Sequence, residues 1–351
     1  MAAKVDNRKS SDSMKSTWRI ADRRTWSFYH YFYHFMDICP TILGKEVPKF
    51  SKDDKVPHLP NWQHTVWVLF YAAVPVAANH VYITYTGHNF SPAGAYGFYA
   101  TALVLTAMNA NKIFRRLGYQ HGYFDGDVHE RDGIPDASIA KTFWSINIGM
   151  FARTLIMVGL AYRSGQAPAS INWAMLPLQI GVYPIVVDFF FYWYHRSMHD
   201  VGSLWKFHRT HHLTKHPNAL LALYADSEQE LCDVVLVPTL AFFTMRAMGL
   251  GMGFYEFWVC HLFIIFTEIQ GHTGLRLSLS PPSTLAWLLE MFDMELALED
   301  HDLHHRRGYR SSHNYGKQTR IWDRVFGTCA ERIECRPGNI DYVNTASMPL
   351  F

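Results

Sequence analysis

Six apolar runs, at residues 62–85, 93–111, 145–163, 172–194, 231–250 and 254–271, divide a chain that is polar elsewhere. Each holds roughly 17–24 residues, enough for a helix to span the ~30 Å of hydrocarbon in a bilayer. In that solvent the backbone must satisfy its own hydrogen bonds, so runs of this length are expected to be helices. Trp and Tyr gather at the ends of the runs, where amphipathic rings meet headgroups. Gly-Leu-Gly-Met-Gly at 249–253 joins the fifth run to the sixth through a tight turn and predicts a helical hairpin. The expected fold is all-α, an integral-membrane bundle of four to six transmembrane helices.

Charge orients the bundle. With six crossings, Lys112, Arg115, Arg116, Lys141, Lys206, Arg209, Lys215, Arg306, Arg307 and Arg310 fall on one side. The loops at 86–92 and 164–171 on the other side contain no Lys or Arg. Positive-inside asymmetry then places the N-terminus in the cytosol. Over the whole chain, 32 Lys and Arg nearly balance 30 Asp and Glu, so no basic character points to nucleic acid. The cysteines (Cys39, Cys232, Cys260, Cys329 and Cys335) are odd in number and never spaced CxxC, which suits a reducing compartment rather than a disulfide framework.

The first 60 residues have no early apolar core, so the first apolar run is expected to serve as an uncleaved anchor. Four regions follow: a polar tail and interfacial aromatic segment (1–60), N-terminal transmembrane helices (61–171), a histidine-bearing domain (172–328) and a cytosolic tail (329–351). Residues 1–24 read as disordered. Trp26–Met36 reads as a segment lying on the membrane, with His30 and His34 as headgroup-level polar residues rather than a metal pair.

Histidine is the compositional outlier, with twenty in the chain. His195 and His199 form HxxxH at the cytosolic end of an apolar run, where i and i+4 side chains stand one above the other. His208, His211 and His212 form HxxHH, expected to fan three imidazoles from a single helical turn. His301, His304 and His305 repeat that pattern 93 residues later. Alone, HxxxH is a weak signal in a histidine-rich chain; together with two copies of HxxHH it is a strong one. His272 lies where the last apolar run reaches the cytosol and joins the set. All three clusters fall on the cytosolic side, in a helical cap beneath the bundle.

Nine imidazoles exceed the coordination of one tetrahedral or octahedral ion, and so suit two. Imidazole is compatible with iron, copper, nickel or zinc. Zinc is redox-silent, and two ions with open positions in an apolar membrane protein favour oxygen chemistry with iron. Apolar residues 231–271 separate the second and third clusters, so that segment must leave the cytosol and return for them to meet. Glu268, four residues before His272, is a candidate tenth ligand or an orienting partner. Asp188, seven residues before His195, is a candidate for orienting an imidazole through its free N–H, since an acid so deep in an apolar run is costly unless paired. Asp200, Asp300, Asp302 and Asp323 are alternatives in that role. His216, His261 and His313 are expected to be non-ligands.

Further residues surround these clusters. Asp188 and Tyr192-Trp193-Tyr194-His195-Arg196 precede the first HxxHH, and His272-Thr273-Gly274 follows it. Glu299-Asp300-His301-Asp302-Leu303-His304-His305 leads to Asn314-Tyr315-Gly316, Trp322-Asp323 and Phe326-Gly327-Thr328. Over residues 175–328 the sequence resembles the membrane fatty acid hydroxylase/sterol desaturase superfamily, whose signature is HxxxH or HxxxxH followed by two HxxHH. The closing run is similar to sterol C4-methyl oxidases and fatty acid 2-hydroxylases.

The resemblance implies an endoplasmic-reticulum enzyme with two cytosolic iron ions (di-iron), O2 as oxidant, and electrons from NAD(P)H through a reductase and cytochrome b5. It also implies His195, His199, His208, His211, His212, His272, His301, His304 and His305 as metal ligands. The sequence departs from the pattern at Glu268, where fatty acid hydroxylases have a further histidine. It contains no His-Pro-Gly-Gly haem motif, so the electron carrier is expected to be a separate protein. Residues 1–140 carry no resemblance.

The expected reaction is hydroxylation of an unactivated C–H bond in a lipid, sterol or terpenoid-like substrate; loss of a second hydrogen would give desaturation, and repetition would give stepwise methyl oxidation. No side chain is expected to act as a nucleophile. From other classes, a membrane metal carrier would carry ionisable residues along a mid-membrane path, whereas these clusters lie at helix ends. A zinc hydrolase would need a dedicated base, and the chain has no HExxH.

Overall fold

The computed structural model describes residues 12–309 and 312–351. Arg310, one of the charges behind the expected orientation, and residues 1–11 of the expected disordered tail lie outside the described residues. The chain is helical, as the apolar runs predict. Its only β-structure among the described residues is one parallel pair, β1 (Val56–Pro57) with β2 (Ile340–Asp341), and two isolated bridges.

Among the described residues three helices are long and apolar enough to cross a membrane: α2 (Asn61–Thr86), α4 (Ile139–Ala161, led in by a 3-10 turn at Asp136–Ser138) and α5 (Leu176–Asp200). Local chemistry sets their ends. Gly87 closes α2 in the left-handed region, at φ 73°, which glycine adopts without penalty. Four residues on, Ser91 accepts a hydrogen bond from the Gly94 amide at 3.2 Å and Pro92 occupies the first position of α3 (Pro92–His121).

The other apolar runs behave differently. α3 has 30 residues, but its second half contains Asn109, Asn111, Lys112, Arg115 and Arg116. The fifth run is split between a π-helical turn at Leu231–Leu236 and the eleven-residue α8 (Val237–Ala247), which packs chiefly on α5. The sixth run is α9 (Phe254–Gly271), and every residue from Phe254 to Gln270 is buried within the protein. Helices α2, α3, α4 and α5 surround it. An apolar stripe on all sides of a helix calls for an apolar environment without saying whether lipid or protein supplies it. Here protein supplies it, and α9 is the central pillar of the bundle.

The N-terminal segment is packed from Asp12 onward, contrary to the disorder expected of so polar a stretch. Asp136 accepts hydrogen bonds from the Thr17 amide and hydroxyl, both at 2.7 Å, and Trp18 is buried. Asp12 pairs with Arg209 at 2.9 Å. One large aromatic and a few directed polar contacts hold what composition alone marks as unfolded. α1 (Phe28–Met36) buries Tyr33 and exposes Phe28 and Phe35. His30 caps its own helix, its Nδ1 accepting from the Ser27 amide at 3.0 Å.

Close packing makes some glycines indispensable. A Cβ on Gly181 of α5 would come within 2.4 Å of Leu285 Cγ, whereas one on Gly159 of α4 would meet nothing within 4 Å. Gly181→Ala should therefore destabilise the protein by about 1–3 kcal/mol through overpacking. Gly159→Ala, which improves helix propensity in open space, should be neutral or stabilising. Thermal unfolding of the two variants in one detergent tests this, and equal midpoints would refute the packing described for α5.

Candidate metal centre

Five elements deliver histidines to one place. α5 ends with His195 and His199, one turn apart. α6 (Trp205–His208) carries His208, and a 3-10 turn over His211–Leu213 carries His211 and His212. The second cluster is thus broken into two short turns rather than fanned from one helical turn as expected. α9 delivers His272 just past its last turn, and α11 (Leu298–Arg307) bears His301, His304 and His305 on one continuous helix. All nine imidazoles are buried.

They form two groups. His195, His199, His208, His212 and His304 make one; His211, His272, His301 and His305 make the other. Within each group, ligand nitrogens lie within 4.8 Å of one another. The two HxxHH clusters divide reciprocally between the groups. His208 and His212, spaced i,i+4, enter the first group while His211 enters the second. His301 and His305, also i,i+4, enter the second group while His304 enters the first.

The rings are oriented by oxygen atoms behind them. Nδ1 of His195 faces the Tyr315 carbonyl at 2.8 Å, and that of His208 faces Gln229 Oε1 at 2.8 Å. Nδ1 of His272 faces the Glu268 carbonyl at 2.7 Å, His304 the His313 carbonyl at 2.7 Å, and His305 the Thr214 carbonyl at 2.9 Å. A carbonyl only accepts, so these Nδ1 atoms carry the proton and Nε2 carries a lone pair.

Within the groups Nε2 atoms face one another: His272 Nε2 is 3.0 Å from His301 Nε2 and 3.4 Å from His211 Nε2, and His304 Nε2 is 3.1 Å from His212 Nε2. Nδ1 of both His272 and His211 faces a carbonyl, so these two rings set lone pairs 3.4 Å apart, which repel unless a cation lies between them. A metal–nitrogen bond of about 2.1 Å places neighbouring ligands about 3.0 Å apart at a right angle and about 3.4 Å apart at the tetrahedral angle. The donor set therefore fits a pair of metal ions, and the buried Nε2 atoms of His195, His208 and His305, which have no hydrogen-bond partner, fit it as well.

The carboxylates serve elsewhere. Glu268, the candidate tenth ligand, belongs to neither group and is held by Arg153 at 2.6 Å. Only its backbone carbonyl touches an imidazole. Asp188 meets no histidine either. It accepts from the amides of Lys317, Gln318 and Thr319 at 2.7–3.1 Å, while Asp323 accepts from those of Tyr315 and Gly316 at 2.8 and 2.7 Å. Two buried acids thus grip five consecutive amides, and that loop presents the carbonyl that orients His195. Asp200, Asp300 and Asp302 are bound to Arg196, Arg332 and Arg131 respectively. Carboxylates flanking the histidine clusters suggested direct contact in the sequence; backbone carbonyls, which no residue identity reveals, take that place. Gln229 likewise carried no signal. His216 pairs with Asp125 at 2.9 Å, and neither it, His261 nor His313 belongs to the two groups.

Residues 180–328 match the family model described as fatty acid hydroxylase. Over those residues the chain is similar to the fatty acid hydroxylase family. The superfamily that the histidine spacing resembled is thereby borne out. Over 231 residues the chain is 51% identical to fatty acid hydroxylase vlmA of Lecanicillium sp, covering 64% of this chain and 63% of the relative. It is 28% identical over 214 residues to human alkylglycerol monooxygenase (56% and 42% covered), and 28% identical over 163 residues to methylsterol monooxygenase 2-1 of Arabidopsis thaliana (45% and 57%). The chain thus spans less than two thirds of the length of each of these relatives. No solved structure matches it.

Burial keeps the imidazoles of the domain neutral. It pushes His208 down to about 4 and His272 and His304 down to about 3, and holds His211, His212, His301 and His305 well below the ordinary value of 6.5. Neighbouring histidines deepen the shift for most of them. An unfolded chain takes up these protons as pH falls through 6.5, while the folded metal-free protein does so only near 4 and below. Folded stability is therefore unaffected above 6.5 and declines as pH drops from 6.5 toward 4. Chelator-treated protein should show an unfolding midpoint that is level above neutrality and falls steeply through that window; a level midpoint down to pH 4 would contradict it.

Proposed function

We propose that this protein is a membrane-bound di-iron oxygenase that hydroxylates an unactivated C–H bond of a lipid, sterol or terpenoid-like substrate. The carrying observation is the convergence of nine buried imidazoles into two adjoining groups whose Nε2 lone pairs face inward. The domain match and relatives named as hydroxylase and monooxygenase support the reading.

In this reading His195, His199, His208, His212 and His304 hold one ion, and His211, His272, His301 and His305 the other. Bound iron supplies the reduction of O2, which no side chain can perform. The reaction balances as R–H + O2 + 2 e− + 2 H+ giving R–OH + H2O, so two electrons enter from outside. We assign them to a separate cytochrome b5 and an NAD(P)H-dependent reductase, with the protein in the endoplasmic-reticulum membrane and its histidines facing the cytosol. The protein's own part is positional. Carbonyls behind the rings fix their tautomer and direction, burial excludes water, and the helices hold one carbon of the substrate at the centre.

Two measurements test this. Metal analysis of purified protein should find two ions per chain, reduced in His211→Ala and His304→Ala but unchanged in His30→Ala; the reverse order would overturn the ligand assignment. Anaerobic reconstitution with iron, followed by O2, reductant and a lipid extract, should yield a product 16 mass units heavier than its substrate. A product lighter by two mass units would replace hydroxylation with desaturation, and neither product, with zinc retained from native expression, would remove the oxygenase reading.

A further inference from the structure

We propose that a cavity between α4, α5, α8 and α9 receives a small, neutral, hydrogen-bonding head of the substrate, such as a hydroxyl, and that Arg153, Asp233 and Tyr183 select it. The inference rests on the oxygenase reading and names the substrate class of the same centre. The cavity is lined by apolar Val187, Phe191, Val237 and Ile264 and by polar Arg153, Tyr183, Asp233, Glu268 and Lys317.

The polar lining is incompletely satisfied. Arg153 Nη2 binds Glu268 Oε2 at 2.6 Å, Lys317 stands 3.7 Å from Glu268 Oε1, and Gln229 donates to Asp233 Oδ2 at 3.2 Å. Arg153 Nη1, Asp233 Oδ1 and the Tyr183 hydroxyl have no partner among the described residues, although Arg153, Asp233 and Tyr183 are only 2%, 8% and 0% exposed. Buried polar atoms are costly when unpaired, so three around one cavity point to something that pairs them.

Charge and size define that group. Two cations, Arg153 and Lys317, balance two carboxylates, Asp233 and Glu268. A carboxylate head would add a buried charge without a counterion, and a bare alkyl chain would leave donor and acceptor unpaired. A hydroxyl can donate to Asp233 Oδ1 and accept from Arg153 Nη1 together. The space, about 10 Å³, admits a group the size of one water. The cavity adjoins both histidine groups: Gln229 links Asp233 to His208, Glu268 links Arg153 to His272, and the Phe191 ring lies 4.9 Å from that of His195.

The test uses the full chain loaded with zinc, so that nothing is turned over, in lipid nanodiscs. Thermal unfolding titrated with dodecan-1-ol, dodecane and dodecanoate gives relative affinities. The alcohol should bind about tenfold more tightly than the alkane, the worth of one hydrogen bond to a charged partner. Tyr183→Phe should reduce that preference, and Asp233→Asn, which leaves the cluster with a net positive charge, should shift preference from the alcohol to dodecanoate. Equal binding of alcohol and alkane by wild-type protein carrying two metal ions would overturn the proposal, as would an unchanged order of ligands in both variants. If Asp233→Asn does not fold, Tyr183→Phe decides alone. Alcohol preference in protein that binds fewer than two ions would fault the metal assignment instead.

Discussion

An imidazole buried in an apolar bundle has two nitrogens to satisfy, and here they point opposite ways. Behind six of the nine rings stands an oxygen that accepts the Nδ1 proton and turns Nε2 inward, where Nε2 atoms of facing rings lie 3.0–3.4 Å apart. Where two lone pairs meet, as at His211 and His272, the arrangement is repulsive without a cation; with one, the repulsion becomes coordination. The surrounding architecture follows from this need. α9 is enclosed on all sides because its last turn must bring His272 and the Glu268 carbonyl to the centre, and the loop at 315–319 is gripped amide by amide because it carries the oxygen behind His195.

Much of this was legible in the sequence. The three histidine clusters and the neighbouring His272 named the nine rings that meet; on α5 and α11 the i and i+4 positions share a helix face, whereas the second cluster converges although two short turns carry it. The histidine spacing also carried the family resemblance. The helical class followed from run length, because hydrocarbon leaves the backbone few choices. What was not legible has a common cause: side-chain identity does not report what lies opposite. The run 254–271 reads alike whether lipid or protein covers it. Asp188 read as an imidazole partner because it shares a helix with His195, yet its partners are amides about 130 residues away in sequence. Polar residues 12–24 read as disordered because their anchor, Asp136, is almost as remote.

Ionic residues in the bundle interior divide into two kinds. Asp188 and Asp323 spend their acceptor capacity on backbone amides and are complete in themselves. Arg153, Asp233, Glu268 and Lys317 balance in charge but not in hydrogen bonds. The first kind builds rigidity beneath the centre. The second retains unspent polar capacity beside it, which is the mark of a place meant to meet something other than the protein.

The reciprocal division of the two HxxHH clusters bears on how metal would be acquired. On the proposed assignment, each cluster serves both ions, so the first ion to arrive draws α6, the turn at His211–Leu213 and α11 into the geometry that the second ion needs. The ordering entropy is then spent once, and the second ion meets ligands already in place. On that assignment uptake becomes cooperative, with half-filled protein scarce at equilibrium, and the proposed two-ion centre is seldom left holding only one.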